Sequence, residues 1–586
     1  MNFLKNNFFS ALLIIGVGSL ILLPFLGAVH LFDWDEINFA ESAREMIATG
    51  NYARVQIDYQ PFWEKPPLFF WLQAASMHAF GINEFAARFP DALIGIITLL
   101  TFFFIGKKLF DARFGMLWAL SMIGSFLPLL YFKSGIIDPV FNYFIFAGIY
   151  FMILLAETRN GKNILNRNLS VEQERNPIPM HRDRISEQSG KSSSDLIISS
   201  TGGTQLKYAL LSGIFIGLAT LTKGPVALLI VLLTFVVYWI IVRFKKIVSW
   251  KHLFLFIITF TFIAGIWVLI EVMDNGFGFF RQFFSYQIAL FTNPVAGHSG
   301  PVYYHFVVVF LGCFPMSVIA MPALTRNYRE ETPFDFKRWM LILFWVVMIL
   351  FTIVKTKIAH YSSLTYFPLS FLCALVIHKN FTSQSLPQWV LIILVLMGSI
   401  FSLLLFGVPW LAQNKEFLIP RLKDPFAIDC LSTNVHWNGT EQYIGAAFFL
   451  FMMIAVVLLW KRILQRGIFL LFGATALCLL IYLKTVLPKI ESYSQGPAIE
   501  FYQTLEGQHV YVNTIGFKSY AQYFYFRKQP SDDSLGGNQK WLLKGAIDRP
   551  AYFVVKSTSM SMMLQYPDVQ LLKQEGGFAF YVRKPQ

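Results

Sequence analysis

Long apolar runs alternate with short polar blocks along most of this chain, and a run of about 20 apolar residues is what a helix needs to cross a bilayer. The first run covers approximately residues 8 to 30. It is too long and too weakly flanked for a cleaved signal peptide and reads as a signal anchor. Further runs lie at approximately 86–106, 114–132, 138–156, 207–222, 225–242, 253–271, 303–324, 339–355, 361–378, 388–408, 441–460 and 467–487. The pattern predicts a mainly α, polytopic membrane protein with about thirteen spans.

Basic residues recur in alternate loops: Lys107, Lys108 and Arg113; Arg243, Lys245, Lys246 and Lys251; Arg326, Arg329, Lys337 and Arg338; Lys461, Arg462 and Arg466. Such loops face the cytoplasm. The expected topology therefore has a cytoplasmic N-terminus. Residues 31–85, 272–302, 409–440 and everything after about 488 lie outside. Residues 157–206, rich in Asn, Ser, Arg and Glu, read as a partly disordered cytoplasmic loop. The chain divides at residue 488. Residues 1–487 form the membrane domain, with an outer loop at 31–85, and 488–586 form a small extracytoplasmic α/β domain. That domain has strand-like segments at 509–512, 551–555 and 578–582 and helical candidates at 517–527 and 558–566.

Composition sharpens this picture. With 55% hydrophobic and only 14% charged residues, the chain is too apolar for a set of soluble domains. The net charge of +14 sits in the topology-setting loops, which argues against nucleic acid as a partner. Of the four cysteines, Cys313, Cys373 and Cys478 fall in spans and Cys430 stands alone outside, so no outer disulfide framework is expected.

The densest charge lies just beyond the first span. From Asp33 to Thr49, apolar residues at Ile37, Ala40, Ala43 and Ile47 form a helical stripe, with Asp33 placed as N-cap, Glu36 three residues on and Gly50 as the stop. This helix is expected to lie along the outer surface, its greasy side toward membrane or core and its acids toward a cavity. Glu41, Arg44 and Glu45 have the spacing of helix-supporting pairs, whereas Asp35 is a candidate catalytic carboxylate. In Phe62-Trp63-Glu64-Lys65-Pro66-Pro67 two prolines stiffen the backbone beside an acid and a base, so Glu64 and Lys65 join it. Glu36, Arg88, Asp138, Lys223, Arg281, Lys355, Lys357 and Tyr361 complete the candidate set as substrate-binding residues at the outer ends of spans. Charges deep in hydrocarbon are costly, so such groups sit at the interface or face a polar cavity. Carboxylates beside cations suit a lipid phosphate and a hydroxyl acceptor. His298 and His305 could join Glu64 around a divalent metal, but no ligand spacing enforces this, and no metal is required.

In combination, Asp35-Glu36-Ile37-Asn38-Phe39-Ala40-Glu41, Glu64-Lys65-Pro66-Pro67, Ala86-Ala87-Arg88-Phe89-Pro90, Leu221-Thr222-Lys223-Gly224-Pro225 and Lys355-Thr356-Lys357 resemble the aminoarabinose transferase branch of the protein mannosyltransferase-like glycosyltransferases. The resemblance implies a class-C inverting enzyme of the bacterial plasma membrane that takes a sugar from a polyprenyl-phosphate donor, and matched positions give Asp35 as catalytic aspartate, Glu64 and Lys65 as second motif, Lys223 as basic position and Asp138 as acidic position. The acceptor it implies is lipid A, another envelope glycan or a protein. Asn38-Phe39 departs from the Arg-Tyr usual in the family. A transporter or lipid flippase is the alternative for so many spans, but it predicts mid-span charges and an internal repeat, and neither is found.

Overall fold

The computed structural model describes residues 6–159, 193–292, 299–325, 332–530 and 536–585. Nine helices among them are long and apolar enough to cross a membrane. The pair Tyr304–Gly312 and Met316–Leu324, bent by 118°, makes a tenth when read as one span. Three shorter apolar helices, Asn7–Leu22, Ala112–Ile123 and Val226–Ile241, stand where the sequence predicts further spans. Each predicted run thus contains a helix, while length and composition alone carry a count of nine or ten rather than thirteen.

The shortened helices have local causes. The first ends at Leu22, not near 30, and the Lys133 ammonium caps it by donating to the carbonyls of Ile21, Leu22 and Pro24 at 3.2, 2.9 and 2.5 Å. This satisfies acceptors that a helix end leaves open. The run predicted at 114–132 is interrupted at Gly124-Ser125, where Phe126 N–H donates to the carbonyl of Phe314 at 3.0 Å. Of the loop predicted at 157–206, residues 193–206 belong to the helix Ser193–Lys223, and 160–192 lie outside the described residues.

Contacts group the chain into two units: Met1–Pro139 with Phe306–Thr325 and Leu369–Gln586, and Val140–His305 with Arg326–Pro368. In the second, helix Ser193–Lys223 lies close against Trp250–Asn275 because Gly213 and Gly217 present no side chain. A Cβ on Gly213 would stand 2.8 Å from the Phe256 carbonyl, and one on Gly217 2.7 Å from Ile263 Cβ. Small residues at such crossings let membrane helices approach.

In the first unit, the outer helix Asp35–Thr49 is enclosed by protein. Ile37, Ala40 and Ala43 of its predicted stripe pack in one cluster with Ala86 and Ala87 and with Ile499, Tyr502, Phe524 and Phe580. The greasy face therefore meets a core rather than lipid. The C-terminal segment supplies a four-stranded sheet ordered Tyr511–Ile515, Ala551–Lys556, Phe578–Arg583, Val569–Glu575. The first pair is parallel and the others antiparallel. The strand Val569–Glu575 is not among the three predicted; it is an edge with Leu571 and Leu572 each 50% exposed, so it lacks the burial alternation that marks a strand. The predicted helices shrink to Ala521–Tyr525 and a 3-10 turn at Ser557–Gln565, and Gly496–Thr504 and Gln539–Lys544 are additional. Alternate side chains serve two cores: Val554 and Phe580 face the outer helix, Phe553 and Val555 face Leu542 and Met563.

Helix Tyr443–Trp460 packs on Gln388–Gln413 at Gly445, whose carbonyl accepts from Ser402 Oγ at 2.6 Å. A Cβ there would meet the Ser402 carbonyl at 2.6 Å. Gly445→Leu is expected to cost about 1–3 kcal/mol, seen as a lower melting temperature in detergent, while Gly473→Ala, which faces open space, leaves it unchanged.

Candidate functional site

The outer helix begins at Asp35 and ends at Thr49, with Gly50 at φ 70° in the left-handed conformation that glycine tolerates. Its N-cap is Trp34, without a side-chain capping bond. Asp33, predicted as that cap, instead accepts from the backbone N–H of Tyr520 at 3.4 Å. The correction has a simple source: the C-terminal segment offers Asp33 donors that the sequence around it does not reveal. Burial lifts the Asp33 carboxyl above its ordinary pKa, against the bonds from Ser519 and Tyr520.

Glu36 and Arg88 form a buried ion pair, with Arg88 Nε and Nη2 donating to Glu36 Oε1 and Oε2 at 3.0 and 2.7 Å. The remaining guanidinium hydrogens reach the carbonyls of Leu26, Val29 and His30 at 2.7, 2.8 and 3.0 Å. Glu36 also accepts from the N–H of Phe32 at 2.9 Å and of Gly135 at 2.6 Å. Burial works against the Glu36 charge, but Arg88 outweighs it and holds the carboxyl below its ordinary value. The sequence places both residues as substrate contacts. The structure spends them on one another, because each has its hydrogen-bonding capacity filled from within the chain.

Further along the helix, Arg44 donates through Nε and Nη2 to both Glu41 oxygens at 2.7 Å. The helix-support reading of this pair holds, although its setting is buried, with Glu41 and Glu45 at 0% and Arg44 at 2% exposure. Glu45 accepts from the Tyr59 N–H at 2.9 Å, and the Tyr59 hydroxyl donates to the Lys528 carbonyl at 2.6 Å. Burial, then the neighbouring Glu41 carboxylate, pushes Glu45 up to about 9.

Asp35 stands half-exposed at the first turn. Glu64 and Lys65 are likewise half-buried, at the approach to helix Leu68–Phe80. That helix meets the outer helix through Phe39, whose ring stands edge-on to Phe69 and Phe70 at 5.8 and 5.7 Å. Asp138 opens its helix at 2% exposure, three residues after the Gly135 that binds Glu36. Asp91, absent from the sequence candidates, is fully buried with Asp138 and Glu36 as charged neighbours. A carboxylate inside a predicted span, three residues after Arg88, is the signal that could have found it.

The second unit holds the other candidates. Lys223 ends its helix with its ammonium 5.0 Å from the Tyr361 ring centre and 5.6 Å from that of Phe141, distances suited to cation–π attraction. Lys357 is buried and donates to the carbonyls of Phe351 and Thr352 at 2.9 and 2.7 Å. It caps helix Phe336–Ile353 and so departs from its predicted phosphate role. Lys355 and Arg281 are exposed. His305 is buried against Tyr304 and Phe351, and His298 lies outside the described residues. Among the described residues, no cluster of three or more His, Cys, Asp or Glu could hold a metal.

Residues 64–166 match the family model described as dolichyl-phosphate-mannose-protein mannosyltransferase. The chain is 26% identical over 380 residues to the undecaprenyl phosphate-alpha-4-amino-4-deoxy-L-arabinose arabinosyl transferase of Enterobacter sp. (strain 638), covering 63% of this chain and 60% of that protein. Its likeness to the Proteus mirabilis transferase of the same description, numbered 1, is 26% over 352 residues, 59% of this chain and 55% of that one. The match thus spans less than two thirds of these relatives' length. In fold the chain is like the crystal structure of ArnT from Cupriavidus metallidurans in the apo state, with a TM-score of 0.70 at 17% identity over 98% of this chain and 99% of that one. The same protein bound to undecaprenyl phosphate gives 0.68.

The two buried acids predict opposite pH responses. Glu36, held below its ordinary pKa of 4.5, contributes stability above that value that is lost as pH falls through its lower folded pKa. Glu45 binds its proton more tightly when folded, so its share of stability declines as pH rises from 4.5 to about 9. Melting curves across pH should show Glu45→Gln flattening the alkaline decline. Arg88→Met, which strands the Glu36 charge, should cost about 3–5 kcal/mol at pH 7.

Proposed function

We propose that this chain is a membrane glycosyltransferase that moves a sugar from an undecaprenyl-type polyprenyl phosphate to an acceptor on the outer side of a bacterial plasma membrane. The reading is carried by the placing of Asp35. Every residue from Glu36 to Met46 of its helix is buried, while Asp35 remains accessible and is fixed from behind by the clamp on Glu36. A carboxylate held rigidly at an accessible position is suited to orient or deprotonate an acceptor hydroxyl. The shared fold with a transferase crystallised with undecaprenyl phosphate, and the names of the relatives, support the donor class.

In this mechanism the acceptor oxygen attacks C1 of the sugar as the bond from C1 to the phosphate breaks on the opposite face, inverting that centre. Asp35 takes the acceptor proton and the lipid phosphate leaves with the bonding electrons. Lys65 stabilises the phosphate charge, with Glu64 orienting Lys65. The resemblance gives Asp138 an acidic position and Lys223, in the second unit, a basic one; Lys357, occupied in capping a helix, is dropped. The N-terminus is placed in the cytoplasm and residues 488–586 outside. Lipid A, another envelope glycan and protein remain the acceptor classes.

Asp35→Asn should lower the product about 10²–10⁴-fold, measured by mass spectrometry of envelope lipids and proteins from cells expressing the variant at wild-type membrane levels. Near-normal transfer by that variant would remove the assignment. The transfer is proposed to need no metal: product yield in isolated membranes should be the same with and without EDTA, and a loss restored by a divalent ion would place a metal in the site.

A further inference from the structure

Four of the five residues just before Asp35, namely His30, Leu31, Asp33 and Trp34, are held by residues 491–525 of the C-terminal segment. His30 Nδ1 lies 3.2 Å from Glu491 Oε1, and its ring stands edge-on to Tyr525 at 5.3 Å. The Leu31 N–H donates to the Tyr525 hydroxyl at 2.7 Å, and the Leu31 carbonyl accepts from Gln495 Nε2 at 2.9 Å. Phe32 donates to Glu36 at 2.9 Å. The Asp33 N–H points to Gln495 Oε1 at 3.5 Å while its carboxylate accepts from Tyr520 N–H at 3.4 Å. Trp34 meets Tyr520 edge-on at 5.3 Å, and the Lys518 ammonium stands 5.2 Å from the Trp34 ring centre.

A non-helical stretch ending at a helix N-terminus has few backbone partners of its own. Here they come from Gln495 and Tyr525, each of which could have bonded to water instead. Tyr525 is buried, with its aromatic body in the cluster that also holds Leu31 and Ile37. Its hydroxyl is thereby presented to the Leu31 N–H, with the Glu84 carboxyl as a second partner, rather than left to rotate in solvent. Gln495 uses both ends of its amide on residues 31 and 33, a two-point hold on the chain direction that feeds the helix.

We infer that Gln495 and Tyr525 are positioning residues for the reaction: by fixing residues 31–33 they set where the Asp35 carboxylate stands, and the C-terminal segment is thereby part of the catalytic apparatus. The inference rests on the assignment of Asp35 made above. Misplacement of a reacting group by about 1 Å can cost on the order of 10²-fold in rate.

The full-length protein in isolated membranes provides the test, with product formation read by mass spectrometry and added undecaprenyl phosphate as the competing probe. Tyr525→Phe and Gln495→Glu, both of near-native volume, should lower the product rate by about tenfold or more. The concentration of undecaprenyl phosphate giving half-inhibition should stay within about twofold, and melting temperatures should be unchanged. Tyr511→Phe, which loses bonds to Asp548 and Arg549 in the loop before strand Ala551–Lys556, serves as the control and keeps the wild-type rate. Unchanged product in both variants, or a loss matched by equally weakened inhibition, overturns the inference. An Asp35→Asn protein that still makes product overturns the assignment of Asp35 instead. A readout independent of activity completes the test. The four native cysteines are buried, so Phe32→Cys, at a position that is 39% exposed, reports the loop through its rate of reaction with a maleimide. Tyr525→Phe should change that rate about fivefold or more as the loop opens; an unchanged rate overturns the inference whatever the activity.

Discussion

The guanidinium of Arg88 and the carboxylate of Glu36 hold the outer face of the first unit together. Their bonds gather the turn at 26–30, the start of the outer helix, the helix Glu84–Leu109 and the turn at Gly135 into one point. Two buried charges are expensive to desolvate, and such a pair is tolerable only when its remaining donors and acceptors are also filled. Here they are, by backbone groups that would otherwise lack partners. Asp35 is the residue before the clamped Glu36, and Asp138 follows the clamped Gly135 by three. Asp35 and Asp138 thus adjoin two points where the backbone is bonded to this pair.

Hydropathy made the membrane architecture legible because a lipid-spanning helix must satisfy its backbone internally and be apolar over its length. Ile37, Ala40 and Ala43 likewise announced the outer helix and its buried face. What could not be read was pairing across long separations. Arg88 looks the same in sequence whether it binds a phosphate or a glutamate 52 residues away. Lys357 carries the same charge whether it faces a ligand or the end of its own preceding helix. Asp33 has the spacing of an N-cap and lost that role to a backbone N–H 487 residues distant. The strand Val569–Glu575 escaped because an edge strand with exposed leucines has neither alternation nor a continuous buried run.

The same distinction bears on Asn38-Phe39, where the resembling family carries Arg-Tyr. Phe39 is 3% exposed and Asn38 8%, with the Phe39 ring wedged against Phe69 and Phe70 on the helix that follows Glu64 and Lys65. Apolar packing at this position ties the second motif to the outer helix. The position therefore contributes to the shape of the site through contact between helices, and a phosphate-directed guanidinium is not among its means.

The hydrogen bond between Leu31 and Tyr525 joins residues 494 apart in the chain. A ribosome adding roughly 5–20 residues per second needs roughly 25–100 seconds to travel that distance. For all of that time the first outer segment has already been made and its anchor does not yet exist. The order of synthesis therefore keeps the Asp35 region unfinished while the membrane helices are being laid down, and a ribosome that stalls anywhere before Tyr525 leaves a nascent product without the finished loop. The separation of the two ends of one bond thus sets how much of the chain must be made before its first loop is complete.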